Sequence, residues 1–420
     1  MIPLSYSRSG PIGGRCQAGM SLIELMVAML IALLGTIVMT QVFSVSEGVK
    51  RTATGASDAQ QSGSFSIYNL ERQLRLGGEG LNHVTGVWGC TLNSWRSGTA
   101  TVPPNGSPTN GVNAYPTYFT QLPANLRITP ALVVNGGTNA TDADPDSLVV
   151  MAGQHRSVAL GLASTAAPGT SSKIPLTNSV GISQNDLLLA VDQDPGSGVA
   201  QCRIAQAVDA AAAPASPDTV GVVPNPVGLS GGTYTGPNAF NSYSATVQVA
   251  DLGPAPIFTA FALGADGLTS NALLSYGLLD GPTVAPVSIG DNIVNMQVVY
   301  GVVASPTVPI SAANPLTWQT PTGTGATGWS AATLMDGSTT SRDKISSIRA
   351  VRVAIVARSA QYERENVTGA NWKIFSDLPA AAQMDALPAA ITGTATWQQY
   401  RYRTYDVTIP LRNMLIMNNS

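Results

Sequence analysis

The sequence predicts an α+β chain: a long N-terminal helix, half of it transmembrane, followed by a β-rich globular domain carrying long Gly/Pro/Ser/Thr-rich loop insertions. Three observations predict it. From Leu25 to Ser46 no residue is charged; as helix, that run rises about 33 Å, close to the thickness of a bilayer's hydrocarbon core. No proline occurs between Gly19 and Val102, so a helix can continue past the apolar run. Beyond Asn82 the apolar pattern changes from period 3.6 to period 2, in a chain with 42 Gly and 28 Pro among its 420 residues.

Composition narrows the function classes. Only 11% of residues are charged and the formal net charge is −3, with no Lys/Arg run of the kind that binds nucleic acid. Two histidines, His83 and His155, are too few for a His-based zinc site without help. Phosphate-loop, dinucleotide, nucleophile-elbow and zinc-protease motifs do not occur, so no enzyme class and no cofactor is indicated.

The helix is expected to run from Ser21 to Leu76. Its second half is polar, with Phe65, Ile67, Leu70 and Leu74 as sparse apolar positions. Ile67, Leu70 and Leu74 share one stripe, and Gly77-Gly78 reads as the C-cap. Gly48, Gly55 and Gly63 weaken the middle by about 1 kcal/mol each, which predicts a break near 48–55.

Strands are predicted at Ser147–Ala152, Asp186–Asp192, Cys202–Val208, Thr246–Leu252, Ile257–Leu263, Ala272–Leu278, Ile293–Val303, Ile348–Arg358 and Arg401–Leu411. In Ile348–Arg358, Val351, Val353, Ile355 and Ala357 share one face, with Arg352 and Arg358 on the other. In the last strand Arg403, Tyr405, Val407, Ile409 and Leu411 alternate, and Pro410 points to a strand end or an edge. The low-complexity stretches near 101–146, 210–244 and 305–340 read as loops inserted in one domain, and Asp377–Ala390 reads as a short helix.

One residue breaks the apolar N-terminal pattern. Glu24 sits in Gly19-Met20-Ser21-Leu22-Ile23-Glu24-Leu25-Met26-Val27-Ala28. A secretory signal with its small-x-small site at Ser44-Val45-Ser46 would need a shorter apolar run. A lipoprotein signal needs its cysteine after the run, and Cys16 precedes it. A plain anchor leaves the glutamate unexplained, since a carboxylate at the bilayer centre costs roughly 3 kcal/mol.

The stretch resembles the N-terminal signature of type IV pilins and the pseudopilins of type II secretion. In that superfamily a polar, basic leader ends in Gly, prepilin peptidase cuts after it, the new N-terminus is methylated, and the fifth mature residue is Glu. The resemblance implies cleavage between Gly19 and Met20, N-methylation of Met20, and a role for Glu24 in assembly and register. Met20 stands where Phe is usual, and Gln41 where many pilins have Pro. The physics agrees: cleavage frees a cationic amine close to Glu24, and an opposite charge offsets the desolvation of each.

Further patches resemble the PilW-type minor pilins. They are Asn69–Gly78 with Gly89-Cys90, Val294–Gly301, Ile348–Arg358, and Tyr402-Arg403 through Leu411-Arg412-Asn413. The implied division is a cleaved leader at 1–19, a transmembrane assembly half of the helix at 20–46, an amphipathic half at 47–78 and a β-rich domain at 79–420. Cys16 would leave with the leader. Cys90 and Cys202 then remain as an even pair in an exported domain, which suggests a disulfide; two buried free thiols are the alternative.

Other candidates are weaker. Asp142, Asp144 and Asp146 alternate like the start of a calcium loop, but Ser147 and Gly153 stand where the turn glycine and last carboxylate belong, so a solvated acidic turn is expected and no metal site. Asp192 to Gly196 reads as a hairpin turn, and Trp88, Trp318, Trp329, Trp372 and Trp397 as core or loop anchors. The resemblance implies a non-enzymatic minor pilin in an assembly-priming or tip complex. Its expected partners are prepilin peptidase, other minor pilins, the major pilin and a tip adhesin. It would sit in the inner membrane with Arg8 and Arg15 on the cytoplasmic side and the C-terminal domain periplasmic, then in the pilus. The alternatives are a minor pseudopilin of type II secretion and a membrane-anchored adhesin that uses the pilin export route.

Overall fold

A computed structural model describes residues 19–92, 95–96, 100–101, 114–137, 144–154, 162–163, 173–176, 182–183, 185–193, 201–207, 219–223, 243, 246–265, 267, 271–280 and 284–416. Arg8, Arg15, Cys16, Asp142, His155 and the turn at Asp194–Gly196 lie outside the described residues. The chain forms two compact units, Met1–Thr54 and Gly55–Ser420. The N-terminal helix spans Leu22–Leu74.

The helix has no break at Gly48–Gly55. Within the second unit the glycines are packing positions. Gly55, Ala59, Gly63, Ser66, Leu70 and Leu74 are its buried residues, a stripe of small side chains that ends in two leucines. At Gly63 an added Cβ would lie 2.1 Å from Cε2 of Tyr405, so only glycine admits that ring. Tyr405 Oη donates to the Gln60 carbonyl at 2.9 Å. The burial of this face offsets the low helix propensity of glycine. The last turn closes by Gly77 N to Leu74 O at 2.9 Å. Gly78, at φ 81°, then turns its N–H to Met151 O, also at 2.9 Å, and so hands the chain to the domain.

Among the described residues there are two two-stranded sheets, Trp95–Arg96 with Ala100–Thr101 and Lys373–Ile374 with Met384–Asp385, and three larger ones. The first runs in the order Leu162–Ala163, Val247–Gly253, Leu187–Asp192, Gln201–Ala207, Thr219–Val223, Lys173–Pro175, with Thr91–Leu92 parallel to Gln201–Ala207. The second runs Val287–Asp291, Ala272–Gly277, Ile257–Gly264, Ser147–Ala152, Ala131–Val134. The third runs Thr317–Gln319, Ile293–Val302, Ile348–Arg358, Tyr402–Pro410. All nine predicted strands are present within one or two residues at their ends, and Tyr402–Pro410 is an edge strand.

One core takes in Ala59, Leu70 and Leu74 of the helix, most of the second sheet and one face of the third. Val351, Val353, Ile355 and Ala357 point into it, as their alternation predicts. The other face of Ile348–Arg358 is also buried, against Ile374, Phe375, Leu378, Met384 and Leu387. Arg352 lies over the Phe375 ring of that layer, 5.2 Å from its centroid, and forks to Asp406 and Asp377, with Nη1 to Asp377 Oδ2 at 2.7 Å and Nη2 to Asp406 Oδ2 at 2.6 Å. Trp88 and Trp329 pack on the main core, and Trp318, Trp372 and Trp397 on the second face of the third sheet.

Beyond the unbroken helix, the structure differs from the sequence reading in three places. Each stretch read as a loop insertion carries regular structure: Ala131–Val134 in the first, Thr219–Val223 in the second, and Thr317–Gln319, Ala331–Leu334 and the start of Thr339–Ser347 in the third. Ala131–Val134 is a four-residue run, buried throughout against Ser147–Ala152, too short for periodicity to reveal. Asp377–Ala390 is not one helix. Pro379 and Pro388 each begin a new turn, leaving Ala380–Ala382 as 3₁₀, Met384–Asp385 as strand and Ala389–Thr392 as helix.

The third difference is Asp146, expected in a solvated turn and instead fully buried. Its carboxylate accepts from Val298 N at 2.8 Å and Gly136 N at 3.3 Å, and its own N–H donates to Met296 O at 2.8 Å. It thereby stitches the second sheet to the third. Burial pushes the carboxyl up to about 8, against the pull of those two N–H donors. An unfolded aspartate titrates near ~3.9. The folded state therefore holds the proton more tightly, and this group's stabilisation is complete below about pH 4 and lost as pH rises to about 8. We expect the urea midpoint to fall from about pH 5 to about pH 8, with a slope of at most about 1.4 kcal/mol per pH unit. Asp146→Asn, which cannot ionise, should lack that component; the same slope in both proteins would refute the assignment.

Candidate assembly and processing site

Gly19, Met20 and Ser21 are exposed and precede the helix. Ser21 Oγ accepts from Ile23 N at 3.2 Å, and the Ser21 carbonyl takes the first helical bond from Leu25 N at 3.1 Å. Ser21 is therefore the N-cap, and Glu24 falls in the first turn, where a carboxylate is favoured by the helix dipole. Ser-x-x-Glu is also the spacing of a capping box, a signal legible in the sequence that the assignment of Glu24 to register alone passes over.

After Glu24 the helix is apolar on every side. Large side chains from Leu22 to Val49 stay between 41% and 78% exposed, and the helix is long and apolar enough to cross a membrane. The hydroxyls inside the run do not leave it polar: Thr36 Oγ1 donates to Leu33 O and Thr40 Oγ1 to Ile37 O, both at 2.8 Å. Such a surface is stable only in lipid or against other apolar helices. Among the described residues of the unit Met1–Thr54 the cationic side chains are Lys50 and Arg51, far along the sequence from Glu24, with Arg51 beside Glu47 at 3.7 Å.

The structure joins Cys90 to Cys202, with Cα atoms 5.7 Å apart across 112 residues of sequence. Both are fully buried. The bond lies beside the parallel pairing of Leu92 with Cys202, and so ties the segment after the helix to the first sheet. Gly19, Met20 and Glu24 lie in the first unit and the cysteines in the second; they are two separate sites. His83 is exposed.

Comparison with known families gives two matches. The prokaryotic N-terminal methylation motif matches residues 14–40. The family of Type IV Pilus-assembly protein W matches residues 261–413, from the middle of the second sheet through the whole of the third. Comparison with curated proteins and with solved structures gives no match. Both matched families belong to pilus assembly and processing rather than to catalysis. With one match at the start of the apolar helix and the other over the sheet whose Tyr405 packs against Gly63, the chain is a type IV pilin-like protein.

Proposed function

We propose that this chain is a minor pilin, a structural subunit of an assembly-priming or tip complex of the type IV pilus. The observation that carries the reading is Glu24 in the first turn of a helix whose large apolar side chains are left exposed by the protein itself. In this reading residues 1–19 are a leader that holds the precursor in the inner membrane. Prepilin peptidase removes it after Gly19, and Met20 is methylated. The helix over 20–46 then leaves lipid for a bundle of other pilin helices, where the amine of one subunit meets Glu24 of another. Desolvating either charge alone is unfavourable, so a shift in register is penalised. The domain beyond residue 79 faces the periplasm first and the cell exterior later.

N-terminal sequencing tests the first step. Protein from membranes that contain prepilin peptidase should begin at methylated Met20, and protein from membranes without it should retain the leader. Any other start removes the basis of the proposal. Deleting the gene should reduce surface piliation; normal pili with lost secretion or lost adhesion would assign the chain to a secretion pseudopilus or to an adhesin instead.

A further inference from the structure

The C-terminal end of the long helix carries a second feature that the assembly reading does not use. A cleft of about 590 Å³ opens there, walled by Tyr68 and Arg72 of the helix, by Arg75 just past its end, and by Arg412 and Asn413 from the far end of the chain. Arg75 is paired with Glu71 one turn before it. Arg72 and Arg412 are exposed, and among the described residues neither has an ion-pair partner. Tyr68 is 60% exposed beside them.

Local stability accounts for only part of this cluster. Arg72 lies in the last turn of the helix, where a cation complements the dipole. Arg412 is the opposite case: it opens the helical turn Arg412–Ile416, where a cation is disfavoured. Its position is nevertheless held. Asn413 Nδ2 donates to Leu76 O at 3.3 Å and to Gly77 O at 3.4 Å, and its carbonyl accepts from Asn82 Nδ2 at 3.5 Å. These bonds fasten the C-terminal segment to the end of the long helix and place Arg412 in the same cleft as Arg72. The cleft is thus built by contacts between residues more than 330 apart.

We propose that this cleft is a docking site for an acidic segment of another polypeptide, one that presents carboxylates separated by apolar side chains. Planar guanidinium groups match carboxylates two bonds at a time. The Tyr68 ring and the aliphatic stems of the arginines offer the apolar contact between them. Glu79 on the rim and Glu71 beside Arg75 leave three arginines against two glutamates around the cleft, a small excess that favours an anionic partner without closing the site internally.

The test uses the full-length chain in detergent and a short fluorescein-labelled peptide of alternating glutamate and leucine. The peptide should bind, with affinity that falls as salt rises. Arg72→Glu combined with Arg412→Glu should weaken binding by roughly tenfold or more, while Arg403→Glu, on the exposed edge strand, should leave it unchanged. The milder pair Arg72→Gln with Arg412→Gln should lie between, and guards against a folding defect. Absence of binding, equal binding by a lysine–leucine peptide, or equal binding by the double-glutamate variant would overturn the proposal. Displacement by inorganic phosphate as effective as by unlabelled peptide would overturn it too, since the cleft would then be a small-anion site.

Discussion

Glu24→Gln is expected to reduce incorporation of the subunit into its assembly by roughly tenfold or more, while cleavage after Gly19 proceeds as before. The side chain keeps its size and one acceptor oxygen, so it can still cap the helix, while the other oxygen becomes an NH2 donor. What disappears is the charge that would face the amine of a neighbouring subunit. Unpaired, that amine must be desolvated among apolar helices with nothing to offset it. Glu24 also occupies the capping-box position relative to Ser21, so the two roles need separating. Ser21→Ala removes the cap and leaves the charge. If capping were all that Glu24 does, the two variants would be equally impaired. If pairing dominates, Ser21→Ala assembles nearly normally and Glu24→Gln does not. The measurement is the ratio of assembled to membrane-resident subunit, with the mature N-terminus sequenced in each strain.

The second large effect is expected at the disulfide. Replacing Cys90 and Cys202 together by Ala should lower stability by about 2–5 kcal/mol. The bond closes a loop of 112 residues, and loops near that length lie at the upper end of what chain entropy supplies. Both residues are buried, so the double variant also loses packing in the core, whereas alanine leaves no unsatisfied polar group behind. Urea titration of the oxidised protein, of the reduced protein and of the double variant should place the last two together, well below the first. A double variant as stable as the oxidised protein would mean that the bond restrains nothing in the unfolded chain.

Much of the second unit was legible because its signals are local. Ile348–Arg358 alternates over enough residues to define a strand, and one of its faces enters the core as expected. The opposite face carries Ala354 and Val356 between its arginines, and nothing local says that the segment around Phe375 and Leu387 will cover it. The small-residue stripe from Gly55 to Ser66 misled for a related reason. Hydrophobic periodicity counts large side chains, and these residues are buried because they are small. Asp146 was missed because an aspartate beside Pro145 reads as a turn until Val298 and Gly136 are known to stand above it.

By itself the sequence determined the apolar run, the glutamate at its start, the nine principal strands and the even pair of cysteines. Each depends on neighbours within one helix turn or one strand, or on composition alone. Only the tertiary structure decided that the helix runs unbroken through its glycines, that Asp146 is buried, that Cys90 meets Cys202, and that Arg412 and Arg72 line one cleft. Those outcomes rest on contacts between segments distant in sequence, and a residue's own pattern carries no record of which distant surface will close over it.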